Sequence, residues 1–239
     1  GRLEFGMTAT NRANAGDAVP VGYPILVIDD HELFSTTLRM ALRAQGFDAH
    51  QLPITSIDHL RDRIAQFEPG LAVLDLDLGQ DRDGRWMNGA ELVEALCARG
   101  WQVLVVSGSV DTPGVAAAIA AGAVGSVPKS TSFDGLLDVV LAAAAGEPVM
   151  TEVEQQDWVT RHRGYLAQER ELARRLGRLS AREREVLDLL AEGLRAAEIA
   201  EHFMVSITTV RTQIRNMHTK LEVQSQLGAV ALVRQARQW

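Results

Sequence analysis

The sequence contains a single cysteine, Cys97, in 239 residues. An internal disulfide is therefore excluded, and a reducing, cytoplasmic location is expected. Cys97 falls within a helical pattern and reads as a small core residue. No apolar run reaches the length of a membrane span, so no membrane partner is expected, and no charged-then-apolar opening segment points to secretion. There is no repeat of solenoid length. Residues 1–6 precede Met7 and read as a tag remnant, and residues 8–19 as disordered, which sets residues 1–23 aside from the fold. Acidic charge is plentiful but uneven. The net charge is −7, yet residues 1–150 carry 10 Lys/Arg against 19 Asp/Glu while residues 178–239 carry 9 against 7. An acidic first part with a mildly basic tail is compatible with nucleic-acid binding by the tail alone.

What is present centres on Leu71-Ala72-Val73-Leu74-Asp75-Leu76-Asp77-Leu78-Gly79. An apolar run that ends in a carboxylate between Gly70 and Gly79 reads as a strand buried on both faces, as in parallel sheets. Upstream, Pro24-Ile25-Leu26-Val27-Ile28-Asp29-Asp30 repeats the pattern. In open α/β sheets chemistry collects beyond the carboxyl ends of strands. If these two strands are neighbours, Asp29, Asp30 and Asp75 converge on one pocket. Ionised carboxylates this close repel unless a hard divalent cation offsets them, and oxygen-only ligands suit Mg²⁺. Phosphoryl chemistry on Asp75 follows as the expectation.

Helical patterns separate these strands from others. Leu33, Leu38, Met40, Ala41 and Leu42 recur at helical spacing before Gly46. Residues 48–52 form a weaker strand, and Ser56 caps a helix bearing Ile57, Leu60, Ile64 and Phe67. Residues 88–98 are helical, and residues 80–87 read as an enlarged loop. Val103-Leu104-Val105-Val106 is a strand ending at Ser107. Thr112, with Pro113 behind it, caps the next helix. Gly125-Ser126-Val127 is a short strand before Pro128-Lys129, and residues 132–145 close the block as a helix. The fold expected is an α/β doubly wound five-stranded parallel sheet over residues 24–146. A helical linker over 147–178 then joins it to a small all-α domain over 179–239.

Asp29, Asp30, Asp75, Ser107 and Lys129, each at a strand end, resemble the active site of response-regulator receiver domains. That resemblance implies that a sensor histidine kinase phosphorylates Asp75. It also implies that Asp30 and Asp75 ligate Mg²⁺, with the Asp77 carbonyl as a third ligand and Asp29 acting through water. Lys129 would pair with the phosphoryl oxygens and Ser107 would move in to donate a hydrogen bond. A carboxylate that attacks phosphorus needs its charge offset by metal and ammonium, which agrees with this set. Two features depart from the family. Gly79 replaces a usual proline and Gly89 comes late, and Ser126 stands where an aromatic is common.

In the tail, Ser180 and Glu183 form a capping box. Gly193-Leu194 ends that helix, Glu198-Ile199-Ala200 begins the next, and Val205-Ser206 leads into a further helix over residues 208–221. Residues 179–232 are similar to LuxR/NarL-type helix-turn-helix domains. The chain is identified on this basis as a two-component response regulator of the NarL/FixJ family, a transcription regulator rather than an enzyme. The resemblance places the helix of residues 208–221 in the major groove, with Val210, Ile214, Met217 and Leu221 buried. Thr209, Arg211, Thr212, Gln213 and Arg215 then face DNA, and Lys220 contacts phosphate. RNA polymerase is a further expected contact.

Trp158, Tyr165, Leu172 and Leu179 recur every seven residues. This seam should bury against the chain's own receiver or against the same helix of a second copy, in a homodimer strengthened by phosphorylation. Two alternatives stay open: a receiver that regulates without being phosphorylated, and an aspartyl-phosphate hydrolase of the haloacid-dehalogenase type, built on Asp75-Leu76-Asp77.

Overall fold

The computed structural model describes residues 23–108 and 113–237. The expectations for residues 1–22 and for Thr112 as a helix cap lie outside them. The chain divides into two compact units, residues 1–162 and 163–239.

In the first unit, β1 (Pro24–Ile28), β2 (Asp48–Gln51), β3 (Leu71–Asp75), β6 (Gln102–Ser107) and β7 (Gly125–Pro128) pair in parallel in the order β2-β1-β3-β6-β7. The helices between them are α1 (Glu32–Ala44), α2 (Ile57–Ile64), α3 (Ala90–Ala98), α4 (Pro113–Ala120) and α5 (Phe133–Ala144). Both faces of the sheet are covered. Ala72 and Leu74 pack into a core with Leu60, Leu92 and Ile119. Leu71 and Val73 pack into a second core with Leu38, Leu42 and Val140. That division explains why β1 and β3 are apolar at every position rather than at alternate ones. β1 leads to β2 on one side while β3 lies on the other, so the strand order reverses between β1 and β3. Asp29 and Asp75 end up at this reversal, where ligands of open α/β sheets gather.

Several local expectations are corrected. Residues 80–87 do not form an open loop. β4 (Asp77–Gln80) pairs antiparallel with β5 (Trp86–Asn88), and the turn between them is closed by Asp81 N–H donating to Arg85 O at 2.9 Å. Asn88 therefore ends a strand instead of starting a helix, and its Oδ1 accepts from Ala90 N–H at 2.9 Å. Leu33 and Met40 lie on the solvent face of α1, 83% and 61% exposed. The true buried stripe of α1 is Ser35, Leu38 and Leu42.

Helix α6 (Glu152–Gly177) runs from the first unit into the second. Its apolar residues divide between the two units. Trp158 packs against the core of the first unit, while Leu172 and Leu176 are buried in the core of the second. Leu179 lies beyond the end of the helix. The second unit continues with α7 (Ala181–Ala191), α8 (Ala196–Phe203), α9 (Ile207–Leu221) and α10 (Gln226–Arg237). The capping box of Ser180 and Glu183 forms as expected. α8 begins two residues before the expected Glu198 because the Glu198 carboxylate accepts the N–H of Arg195 at 2.7 Å, fixing the cap there. Val210, Met217 and Leu221 of α9 are fully buried, with Ile214 packed beside them.

Candidate functional site: an acidic pocket and an outward helix face

Asp29, Asp30 and Asp75 meet at the carboxyl edge of the sheet, and Lys129 reaches in from the end of β7. Its Nζ lies 2.8 Å from Asp29 Oδ2 and 2.5 Å from Asp75 Oδ2. Lys129 is itself anchored by its N–H donating to Ser107 O at 2.8 Å. Asp75 is 2% exposed. Burial pushes its carboxyl up to about 6, with the Asp29 charge acting the same way and the Lys129 hydrogen bond opposing. Burial alone would lower the Lys129 ammonium, but its bonds to Asp29 and Asp75 outweigh burial and raise it. Asp75 is thus still largely ionised at neutral pH, and cations at its side favour that charged form.

Two glycines let the backbone close on this pocket. Gly79 has φ +74, and a Cβ there would sit 3.0 Å from Asp30 Oδ2. A Cβ on Gly89 would sit 2.1 Å from the Asp75 carbonyl oxygen, so only glycine allows α3 to start against the end of β3. Asp77 N–H donates to Asp75 Oδ1 at 3.1 Å, which aims the carboxylate. The Asp77 side chain itself faces solvent and accepts from Gly79 N–H at 3.1 Å. Ser107 is buried at the end of β6. Ser126 Oγ is buried with no hydrogen-bond partner.

His31 is the residue that sequence reasoning missed. Its Nδ1 lies 3.0 Å from Asp29 Oδ1, 2.9 Å from Asp30 Oδ1 and 3.2 Å from Lys129 Nζ. Its position directly after Asp29-Asp30 was the available clue. Potential ligand atoms of Asp29, Asp30, His31 and Asp75 all lie within 4.8 Å of one another. Three carboxylates so close form an oxygen-rich pocket that can hold a hard cation.

In the second unit, Ser206 caps α9, and Thr209, Arg211, Thr212 and Arg215 all project into solvent. Gln213 is half-buried and its Oε1 has no partner. Lys220 is drawn back into the domain, where its Nζ pairs with Glu183 Oε2 at 2.7 Å and ties α9 to α7. Glu183 therefore both closes the capping box and holds α9.

Residues 25–141 match the response regulator receiver domain, and residues 178–233 match the bacterial regulatory proteins of the luxR family. The chain is a response regulator of the NarL/FixJ family. This regulator is 30% identical over 210 residues to the transcriptional regulatory protein LiaR of Bacillus subtilis, covering 86% of this chain and 93% of LiaR. The nitrate/nitrite response regulator NarL of Escherichia coli is 28% identical over 216 residues, covering 89% of this chain and 95% of NarL. NarP of Escherichia coli is 29% identical over 224 residues, covering 90% and 96%. These relatives are regulators, not enzymes, which sets the hydrolase alternative aside. Among the described residues no helix is long and apolar enough to cross a membrane.

Proposed function

We propose that this regulator controls transcription through phosphorylation of Asp75 by a sensor histidine kinase, with Mg²⁺ in the acidic pocket. The buried Asp75 carboxylate, bonded to Lys129 beside Asp29 and Asp30, carries the reading. Asp30, Asp75 and the Asp77 carbonyl would ligate the ion, with Asp29 acting through water. Mg²⁺ would supply charge that offsets the nucleophile and the transferring phosphoryl group. Lys129, bonded to Asp75, would hold a phosphoryl oxygen, and Ser107 would supply a hydroxyl from the adjoining strand end. In this scheme residues 24–146 receive the signal, 147–178 connect, and 179–239 bind DNA. Thr209, Arg211, Thr212 and Arg215 form the reading face of α9, with Gln213 at its margin. Lys220 acts first through Glu183 and only by rearrangement on a phosphate. A homodimer on a two-half-site operator fits a helix-turn-helix output, and RNA polymerase is the natural further contact. The setting is the cytoplasm.

Incubation with acetyl phosphate and Mg²⁺, followed by intact-mass measurement, tests the site. One phosphoryl group should add to the parent and none to Asp75→Asn. Full labelling of Asp75→Asn overturns the assignment, while no labelling of the parent favours a receiver that acts without phosphorylation. Arg211→Ala and Arg215→Ala should each weaken operator binding, by about 1–3 kcal/mol for a residue paired with guanine. Unchanged binding in both would place the reading face elsewhere.

A further inference from the structure

Three large apolar side chains lie exposed where α8 turns into α9. Met204 is 92% exposed, Val205 40% and Ile207 36%. Only Ser206 interrupts them, and its hydroxyl accepts the Thr209 N–H at 3.1 Å to start the helix. None of the three belongs to the core of the helical domain. Met204 also takes a left-handed backbone, φ 51, which residues other than glycine adopt at a cost. A bulky apolar residue here gains nothing from packing within its own domain.

The patch runs directly into Thr208, Thr209, Arg211, Thr212 and Arg215, all exposed. No acidic residue stands in the first turn of α9 to repel a phosphate backbone. Ile207 is the first residue of that helix. Helix-turn-helix domains bring the N-terminal residues of this helix to base edges in the major groove. The apolar group that base pairs offer in that groove is the C5-methyl of thymine.

We propose that Ile207, flanked by Val205 and Met204, reads thymine methyl groups at the edge of the half-site whose neighbouring bases Arg211 and Arg215 read. The inference rests on the proposed binding of DNA through α9 and adds its base preference. A protein partner or a second copy is the competing occupant of the patch.

The test begins with full-length regulator and an operator selected from a random duplex library. Each thymine is then replaced in turn by deoxyuridine, which keeps the hydrogen-bonding edge and deletes only the methyl. At one or two thymines the parent should lose about fourfold in affinity, the value of one buried methyl. Ile207→Ala should bind thymine and uracil alike at those positions, and Ile207→Val should keep most of the preference. Substitution of guanines by 7-deazaguanine, which removes the acceptor that arginine uses, should weaken parent and variant equally.

Deoxyuridine without effect at every position, or Ile207→Ala with an intact thymine preference, overturns the proposal. So does a variant that loses affinity equally on thymine and uracil duplexes, the outcome expected if the patch holds a protein. In these cases DNA reading by α9 stands as long as 7-deazaguanine weakens binding. If no operator is selected and 7-deazaguanine has no effect, DNA reading fails and the thymine preference with it.

Discussion

Replacing Asp75 with asparagine should make the metal-free receiver domain more stable, although it removes the proposed phosphoryl acceptor. Asp75 is nearly fully buried, and its carboxyl is raised from 3.8 to about 6. At neutral pH the folded protein must hold the charged form, which its surroundings disfavour even with Lys129 bonded to it. A raised carboxyl binds more protons folded than unfolded. Stability from this group is therefore full below pH 3.8 and is lost as pH rises to about 6. Two units at about 1.4 kcal/mol each make the loss about 3 kcal/mol above that window. Asparagine keeps the shape and an oxygen for the Asp77 N–H, and Lys129 keeps Asp29 at 2.8 Å. The amide should return most of that energy at pH 7.5 in chelator. At pH 5 the gain should shrink to roughly half, because the parent is already largely protonated. Hydrogen exchange of the peptide covering β3 reports opening of this domain alone. Its exchange should slow about a hundredfold in Asp75→Asn at pH 7.5, and less at pH 5. Added Mg²⁺ should narrow the gap by stabilising only the form that binds it, by about 2.7 kcal/mol at a hundredfold excess over Kd. Exchange no slower than in the parent, or an equal gain at both pH values, would refute the electrostatic account.

Labelling by acetyl phosphate should fall as pH drops through about 6, since protonated Asp75 is no nucleophile, and Mg²⁺ should move the midpoint lower. An intact-mass titration with and without the ion checks both statements. Gly89→Ala should destabilise the receiver by at least about 1–3 kcal/mol, because its Cβ would meet the Asp75 carbonyl at 2.1 Å; urea unfolding measures this. Glu183→Ala removes the capping carboxylate and strands Lys220, and should cost the helical domain about 1–3 kcal/mol. Burial raises the Glu183 carboxyl, but the bonds from Lys220 and Ser180 prevail and lower it. Its contribution should be present at neutral pH and fade on acidification through the carboxylate range, which thermal melts at pH 7 and pH 3 would show.

The sequence alone determined the five strands of the parallel sheet and the polar side chains at their ends. A strand covered on both faces has to be apolar throughout, so Leu71–Leu74 and Ile25–Ile28 stand out, and the carboxylates that end those runs stand out with them. Two helix starts were legible for an equally local reason. Ser56 and Ser180 each accept an N–H from three residues ahead, which depends on nothing distant.

What depends on distant neighbours was decided only by the tertiary structure. Residues 80–87 form a hairpin because β4 and β5 find each other across a turn, and no periodicity in so short a segment announces that pairing. Leu33 and Met40 carry the right composition for a core and sit on the wrong side of α1. The side that faces the sheet is set by packing against β2 and α5. His31 joins the acidic pocket because the chain leaves β1 toward Lys129, an approach that spans 98 residues of sequence. Lys220 read as a phosphate contact on its helix but is held by Glu183, 37 residues away in sequence. Nothing local in the sequence marks Met204, Val205 and Ile207 as exposed, and only the packed domain shows that they stand outside its core.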